Sequence, residues 1–119
     1  MEKSILILED DQEIKTILCG KLTEAGYVVH CPVDSYVAIE HAMTWGLDMI
    51  MLNDKMPLIN GINMLSILEE QCITVPAIVF LTKFQDATGY EGRPSCLCIR
   101  KPFQIDELVA LVYQLLNKK

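Results

Sequence analysis

Four places in this 119-residue chain put chemically capable side chains directly after a short apolar run. Glu9 and Asp10 follow residues 5–8, and Asn53 and Asp54 follow residues 49–52. Thr82 follows residues 77–81. Arg100 and Lys101 follow residues 96–99 and precede Pro102 and Phe103. Carboxylates are ligands for a hard cation such as magnesium. A hydroxyl and an ammonium suit phosphate oxygens. Brought to one crevice, these groups would handle a divalent cation and a phosphoryl group.

The elements that must position them are legible from the apolar pattern. The runs 5–8, 49–52, 77–81 and 96–99 are unbroken rather than alternating, which suits parallel strands covered on both faces. A weaker fifth strand is expected at 27–30. Helical spacing separates them. Ile14, Ile17, Leu18, Leu22 and Ala25 share one side of a first helix that ends at Gly26. A second helix is predicted over residues 35–44, capped by Asp34. A third begins near Asn60 and turns Leu65 and Leu68 inward. Ile105, Leu108, Val109, Val112, Leu115 and Leu116 make a clean stripe for the last helix. The segment 83–94, where a fourth helix belongs, holds Gly89, Gly92 and Pro94, so any helix there is short or frayed. Strand and helix alternate five times, which predicts one α/β domain over residues 1–119, a doubly wound three-layer sandwich with right-handed crossovers. In such sheets ligands bind beyond the carboxyl ends of the strands.

Composition narrows the functional classes. Half the residues are hydrophobic, enough for a core without staples, and the formal net charge is -6. That balance argues against bulk attachment to nucleic acid or to an anionic membrane. No apolar run is long enough to cross a bilayer. The five cysteines are scattered and odd in number, so they read as free thiols in a reducing, cytoplasmic compartment. Cys96 and Cys98 share a strand face as filling. His30 and His41 read as isolated, Trp45 and Tyr36 as packing groups, and Tyr90 as exposed. Asp11 is expected to cap the first helix, with Glu13 favourable in its first turn. No glycine-rich phosphate loop or nucleophile elbow is present.

Several stretches, in order and at their spacings, resemble the receiver domain of bacterial two-component response regulators over essentially the whole chain. They are Ile5-Leu-Ile-Leu-Glu-Asp10, Asp48 through Met56-Pro57, Asn60-Gly61, Val75-Pro-Ala-Ile-Val-Phe-Leu-Thr82 and Lys101-Pro102-Phe103. The resemblance implies a five-stranded parallel sheet of order 2-1-3-4-5. It implies that Glu9 and Asp10 bind magnesium, that Thr82 is the switch residue and that Lys101 contacts phosphate. It places Asn53 at the phosphoacceptor position, where the family carries aspartate. It also suggests a cis peptide bond before Pro102. This chain departs from the family pattern at Asn53, at Cys98 in place of an aromatic, at Asn60 and at Lys83.

The departures shape the expected function. A carboxylate oxygen attacks phosphorus and forms an acyl phosphate, whereas a neutral amide oxygen is a far poorer nucleophile. The expectation is an atypical receiver in phosphorelay signalling, not an enzyme, that binds magnesium weakly and acts by protein contact. Its partners would be a histidine kinase, an output domain or an effector, or a second copy through the face of helix four, strand five and helix five. Two alternatives stand beside it. Asp54 could serve as a substitute acceptor with magnesium, although strand periodicity turns it away from Asn53 and it reads as a solvated loop charge. The fold could also hold a small ligand such as a flavin, for which no cofactor motif is present.

Overall fold

The computed structural model describes residues 2–82, 85–93 and 95–117. Five parallel strands form one sheet in the order β2-β1-β3-β4-β5. They are β1 (Ser4–Leu8), β2 (Val28–His30), β3 (Met49–Asn53), β4 (Ala77–Leu81) and β5 (Cys96–Arg100). The helices are α1 (Gln12–Glu24), α2 (Ser35–Thr44), α3 (Gly61–Glu70) and α4 (Ile105–Leu116). The predicted sandwich and its strand order are therefore present.

Period two along each strand divides the core. Leu6, Leu8, Ile50, Leu52, Val79 and Leu81 meet α2 and α3 through Ala38, Ala42, Met64, Leu65 and Leu68. Ile5, Ile7, Met49, Met51, Ile78 and Phe80 meet α1 and α4 through Leu18, Leu22, Leu108 and Val112. The central strands β1, β3 and β4 are buried on both faces, so they lack alternation with polar residues. Phe80 is fully buried and stacks on Phe103 with ring centroids 5.1 Å apart. Truncating such a ring to alanine costs about 3–5 kcal/mol.

The helix starts follow their capping residues. Asp11, Asp34 and Asn60 accept hydrogen bonds from the backbone N–H of Ile14, Val37 and Asn63 at 3.2, 2.9 and 2.9 Å. Gly26, at φ 101°, terminates α1 in the left-handed region. The buried Ser35 hydroxyl donates to Pro57 O and Ile59 O, at 3.3 and 3.2 Å, tying α2 to the loop after β3.

Among its described residues, the crossover from β4 to β5 carries only a 3-10 turn, Thr88–Tyr90. Two of the residues read as departures or helix breakers there, Lys83 and Pro94, lie outside the described residues. A cavity of about 490 Å³ opens at the lower end of β4 and β5. Ile50, Leu65, Leu68, Val75, Ala77 and Cys96 line it.

Five expectations need correction. Tyr90 is buried, 2% exposed, because its ring fills the space a fourth helix would cover. Cys19 and Cys31 form a disulfide, which the scattered spacing did not suggest. Packing α1 on β2 brings them together, and Cys72, Cys96 and Cys98 are the free thiols. His30 and His41 are neighbours, with ring centroids 5.8 Å apart, and Trp45 lies 5.4 Å from His30. Trp45 and Tyr36 are more than half exposed rather than core. Ile17, placed on the inward stripe, is 41% exposed at the outer edge of α1. No helix among the described residues is long and apolar enough to cross a membrane.

Candidate functional site

The same period-two alternation, continued past the strand ends, assembles the crevice. Residues 9, 53, 82 and 101 extend the rows that face α1 and α4, because Ile7, Met51, Phe80 and Ile99 pack on that side. Glu9, Asn53 and Lys101 meet there. The Lys101 ammonium donates to Glu9 Oε1 at 2.6 Å and to Asn53 Oδ1 at 3.3 Å. Glu9 Oε2 accepts the backbone N–H of Asp11 at 3.1 Å. Asn53 Nδ2 donates to Asp10 Oδ1 at 3.0 Å and to Lys55 O at 3.4 Å. The Lys101–Pro102 peptide bond is cis, as the resemblance implied.

The asparagine fits between opposite charges. Its carbonyl faces an ammonium that can only donate, and its amino group faces a carboxylate that can only accept. Glu9 is almost wholly buried, 2% exposed. Burial pushes its carboxyl above the usual range, against the opposing pull of the Lys101 ammonium and the Asp11 N–H. The Glu9–Lys101 ion pair is therefore a partly desolvated one whose halves depend on each other.

Thr82 lies exposed at the end of β4, and its backbone N–H donates to Gln85 Oε1 at 2.5 Å. Together with Lys101, Phe103, Ile14 and Ile105 it borders a mostly apolar hollow of about 530 Å³ between α1 and the start of α4.

Asp54 belongs to the opposite face. Asn53 and Asp54 are consecutive, so their side chains part to the two sides of the sheet. Asp54 Oδ1 accepts the Tyr90 hydroxyl, and Oδ2 accepts Gln85 Nε2 at 2.6 Å. It is half-buried and hydrogen-bonded, which corrects its reading as a solvated loop charge. Burial first, and then the Asp54 carboxylate, push the Tyr90 phenol well above its usual value. A Cβ at Gly61 would collide with the Tyr90 hydroxyl, so the small residue after Asn60 serves this contact. Gln85 escaped the sequence reading, and Tyr90 was read there as exposed rather than as a partner of Asp54. The pair Gly89-Tyr90 was the one available signal, and its glycine read as a helix breaker.

The oxygens available to a hard cation are Asp10, Glu9 and the Asn53 carbonyl. Lys101 already occupies Glu9 and Asn53, and no group of three or more His, Cys, Asp or Glu among the described residues is arranged to hold a metal. Magnesium prefers several waters and one or two carboxylates. The donor set therefore fits a hydrated magnesium ion held mainly by Asp10, with Glu9 beside it.

Comparison with known proteins agrees with the fold. The sequence profile of the response regulator receiver domain matches residues 5–113. The alkaline phosphatase synthesis transcriptional regulatory protein PhoP of Bacillus subtilis is 30% identical over 99% of this chain and 50% of its own length. The transcriptional regulatory protein CrdR of Helicobacter pylori is 24% identical over 98% of this chain and 56% of its own. The chain thus spans about half the length of the curated relatives it matches. Among solved structures, a Francisella response regulator receiver domain superposes with a TM-score of 0.86 at 29% identity, covering 98% of both chains. The receiver domain of a Pseudomonas aeruginosa sensor histidine kinase, solved with magnesium in its active site cleft, gives 0.86 at 21% identity. It covers 99% of this chain and all of its own. A profile matched over nearly the whole chain, on a sheet of this order, makes the protein a member of the response regulator receiver domain family.

Proposed function

We propose that this receiver is atypical: it does not take a phosphoryl group at the usual position, and it signals in a two-component pathway by protein contact. One observation carries the reading. The residue at the tip of β3 is an asparagine whose amide is satisfied on both sides, by Asp10 and by Lys101. It offers no anionic oxygen for attack on phosphorus. Asp54 is a poor substitute, because both its oxygens are engaged across the sheet from Thr82 and Lys101.

Under this reading Glu9 and Asp10 are a residual cation site. Magnesium, when bound, would supply charge neutralisation to Asp10, with lower affinity than in a pocket of three carboxylates. Lys101 holds Glu9, and Thr82 has a local backbone role. The domain is not an enzyme. It works in the cytoplasm, as one unit over residues 1–119, away from nucleic acid and membrane. Its partner is a histidine kinase, an output domain, an effector or a second copy. The contact face is built from the Thr88–Tyr90 turn, β5 and α4.

Intact mass after incubation with magnesium and acetyl phosphate tests the reading. Wild type is expected to gain no phosphoryl mass, while Asn53→Asp gains one group. A phosphoryl group on wild type, lost in Asp54→Ala, would overturn it.

A further inference from the structure

Asp54 has a second oxygen partner and a neighbourhood that a surface carboxylate does not need. Its two oxygens bind two residues of the β4–β5 connector, Gln85 and Tyr90. Gln85 in turn accepts the Thr82 N–H at 2.5 Å, so the end of β4 joins the same network. Among the described residues of the connector, Tyr90 is the one large side chain buried in the core, in the cluster that holds Leu52, Leu81 and Ile59. Among its described residues the connector holds no full helix or strand. Its regular structure is a turn of three residues, and Gly89 and Gly92 weaken any helix.

We infer that the Asp54–Tyr90–Gln85 network is a latch that fixes the β4–β5 connector in one position through the carboxylate directly after β3. Asp54 is an anchor and Tyr90 is the catch. A phenol hydroxyl donating to a carboxylate makes a stronger hydrogen bond than one between two neutral groups. Gly61 leaves room for the hydroxyl to reach it. Arg100 adds a clasp at the start of the connector, donating to Thr82 O and Gln85 O at 2.9 and 2.7 Å. Arg93 adds one at its end, through Gly89 O at 3.0 Å and Glu69 at 2.5 Å. The surface formed by the connector and β5 is thus set by a carboxylate next to Asn53, on the other side of the sheet from the crevice. This assignment is independent of whether residue 53 accepts phosphate.

Hydrogen exchange on the full chain, followed by mass spectrometry, tests it in Tyr90→Phe, Asp54→Asn and the double variant. Tyr90→Phe keeps the buried ring and removes only the hydroxyl. Each single variant is expected to exchange about tenfold or more faster over residues 85–93, with β1 amides unchanged. The double variant should be no faster than Asp54→Asn alone, because Tyr90→Phe then removes a donor whose carboxylate acceptor is already gone. Gln85→Ala, which spares the Tyr90 contact, should loosen residues 85–87 and leave 88–93 protected. Unchanged exchange in Tyr90→Phe would overturn the inference, as would additive effects in the double variant. Acceleration spread evenly over the whole chain would also overturn it, since the pair would then be ordinary stability.

Discussion

The Asn53 amide donates to the Asp10 carboxylate across 3.0 Å, a contact that only a residue with a donor at position 53 can make. The crevice is therefore electrostatically settled by its own side chains. An aspartate at this point would set two like charges against each other with Lys101 already shared with Glu9.

Asn53→Asp should lower stability in EDTA by about 1–2 kcal/mol, a small figure because Asp10 is exposed and screened. Magnesium at millimolar concentration should restore most of it, and should raise the wild-type melting temperature less. Thermal melts with and without magnesium measure both. A variant as stable as wild type in EDTA would show that the amide–carboxylate contact does nothing.

Glu9 makes the stability depend on pH in a definite direction. Its folded carboxyl lies above the ordinary value because of burial. Folding then favours the protonated form. The contribution is fully present below the unfolded value and is lost as pH rises through the folded one. The stability difference between wild type and Glu9→Gln should decline as pH rises from 4 to 7. Chemical denaturation across that range reads it, and a rising difference would contradict the sign.

His30 works in the other direction. Burial, and then the neighbouring His41, hold its imidazole below the usual value. Its contribution is present above the unfolded value and is lost as pH falls through the folded one. Trp45 is the sole tryptophan and sits 5.4 Å from His30. Its fluorescence should change on acidification with a midpoint below that of free histidine, and the change should vanish in His30→Phe. A midpoint at or above the free value would refute the arrangement.

The cystine predicts a thiol count. Denatured without reductant, the protein should alkylate at Cys72, Cys96 and Cys98 alone, and at all five cysteines after reduction. Burial pushes the Cys96 thiol up to about 11, so in the native state it should react more slowly than the exposed Cys72. Peptide mapping of the alkylated sites decides both.

Gly61→Ala should cost about 1–3 kcal/mol by pushing the new methyl into the Tyr90 hydroxyl. Combining it with Tyr90→Phe should recover part of that loss. Urea melts of the single and double variants provide the check, and a harmless Gly61→Ala would mean the approach is loose.

The sequence made the central strands legible because they are apolar on both faces, and the crevice legible because period two carries past the strand ends to residues 9, 53, 82 and 101. It also separated Asn53 from Asp54. What it hid were contacts made by residues of ordinary appearance. Nothing local in Gln85 or Tyr90 announces a carboxylate 31 or 36 positions away. The Cys19–Cys31 pair and the His30–His41–Trp45 rings likewise depend on how α1, α2 and β2 pack, which no local pattern encodes. Tyr90 was misplaced for a related reason. A weak helical signal reads as exposure, yet in a sandwich a missing helix leaves a vacancy that one aromatic ring can enter.

That missing helix gives the molecule two unlike ends. The upper end of the sheet is polar, charged and cross-braced. The lower end of β4 and β5 is an apolar recess of about 490 Å³ beneath the Arg93–Glu69 ion pair. The two are separated by the length of a five-residue strand, roughly 16 Å. The recess shares no lining residue with the hollow beside Thr82 and Lys101, so a molecule seated in either would leave the other open.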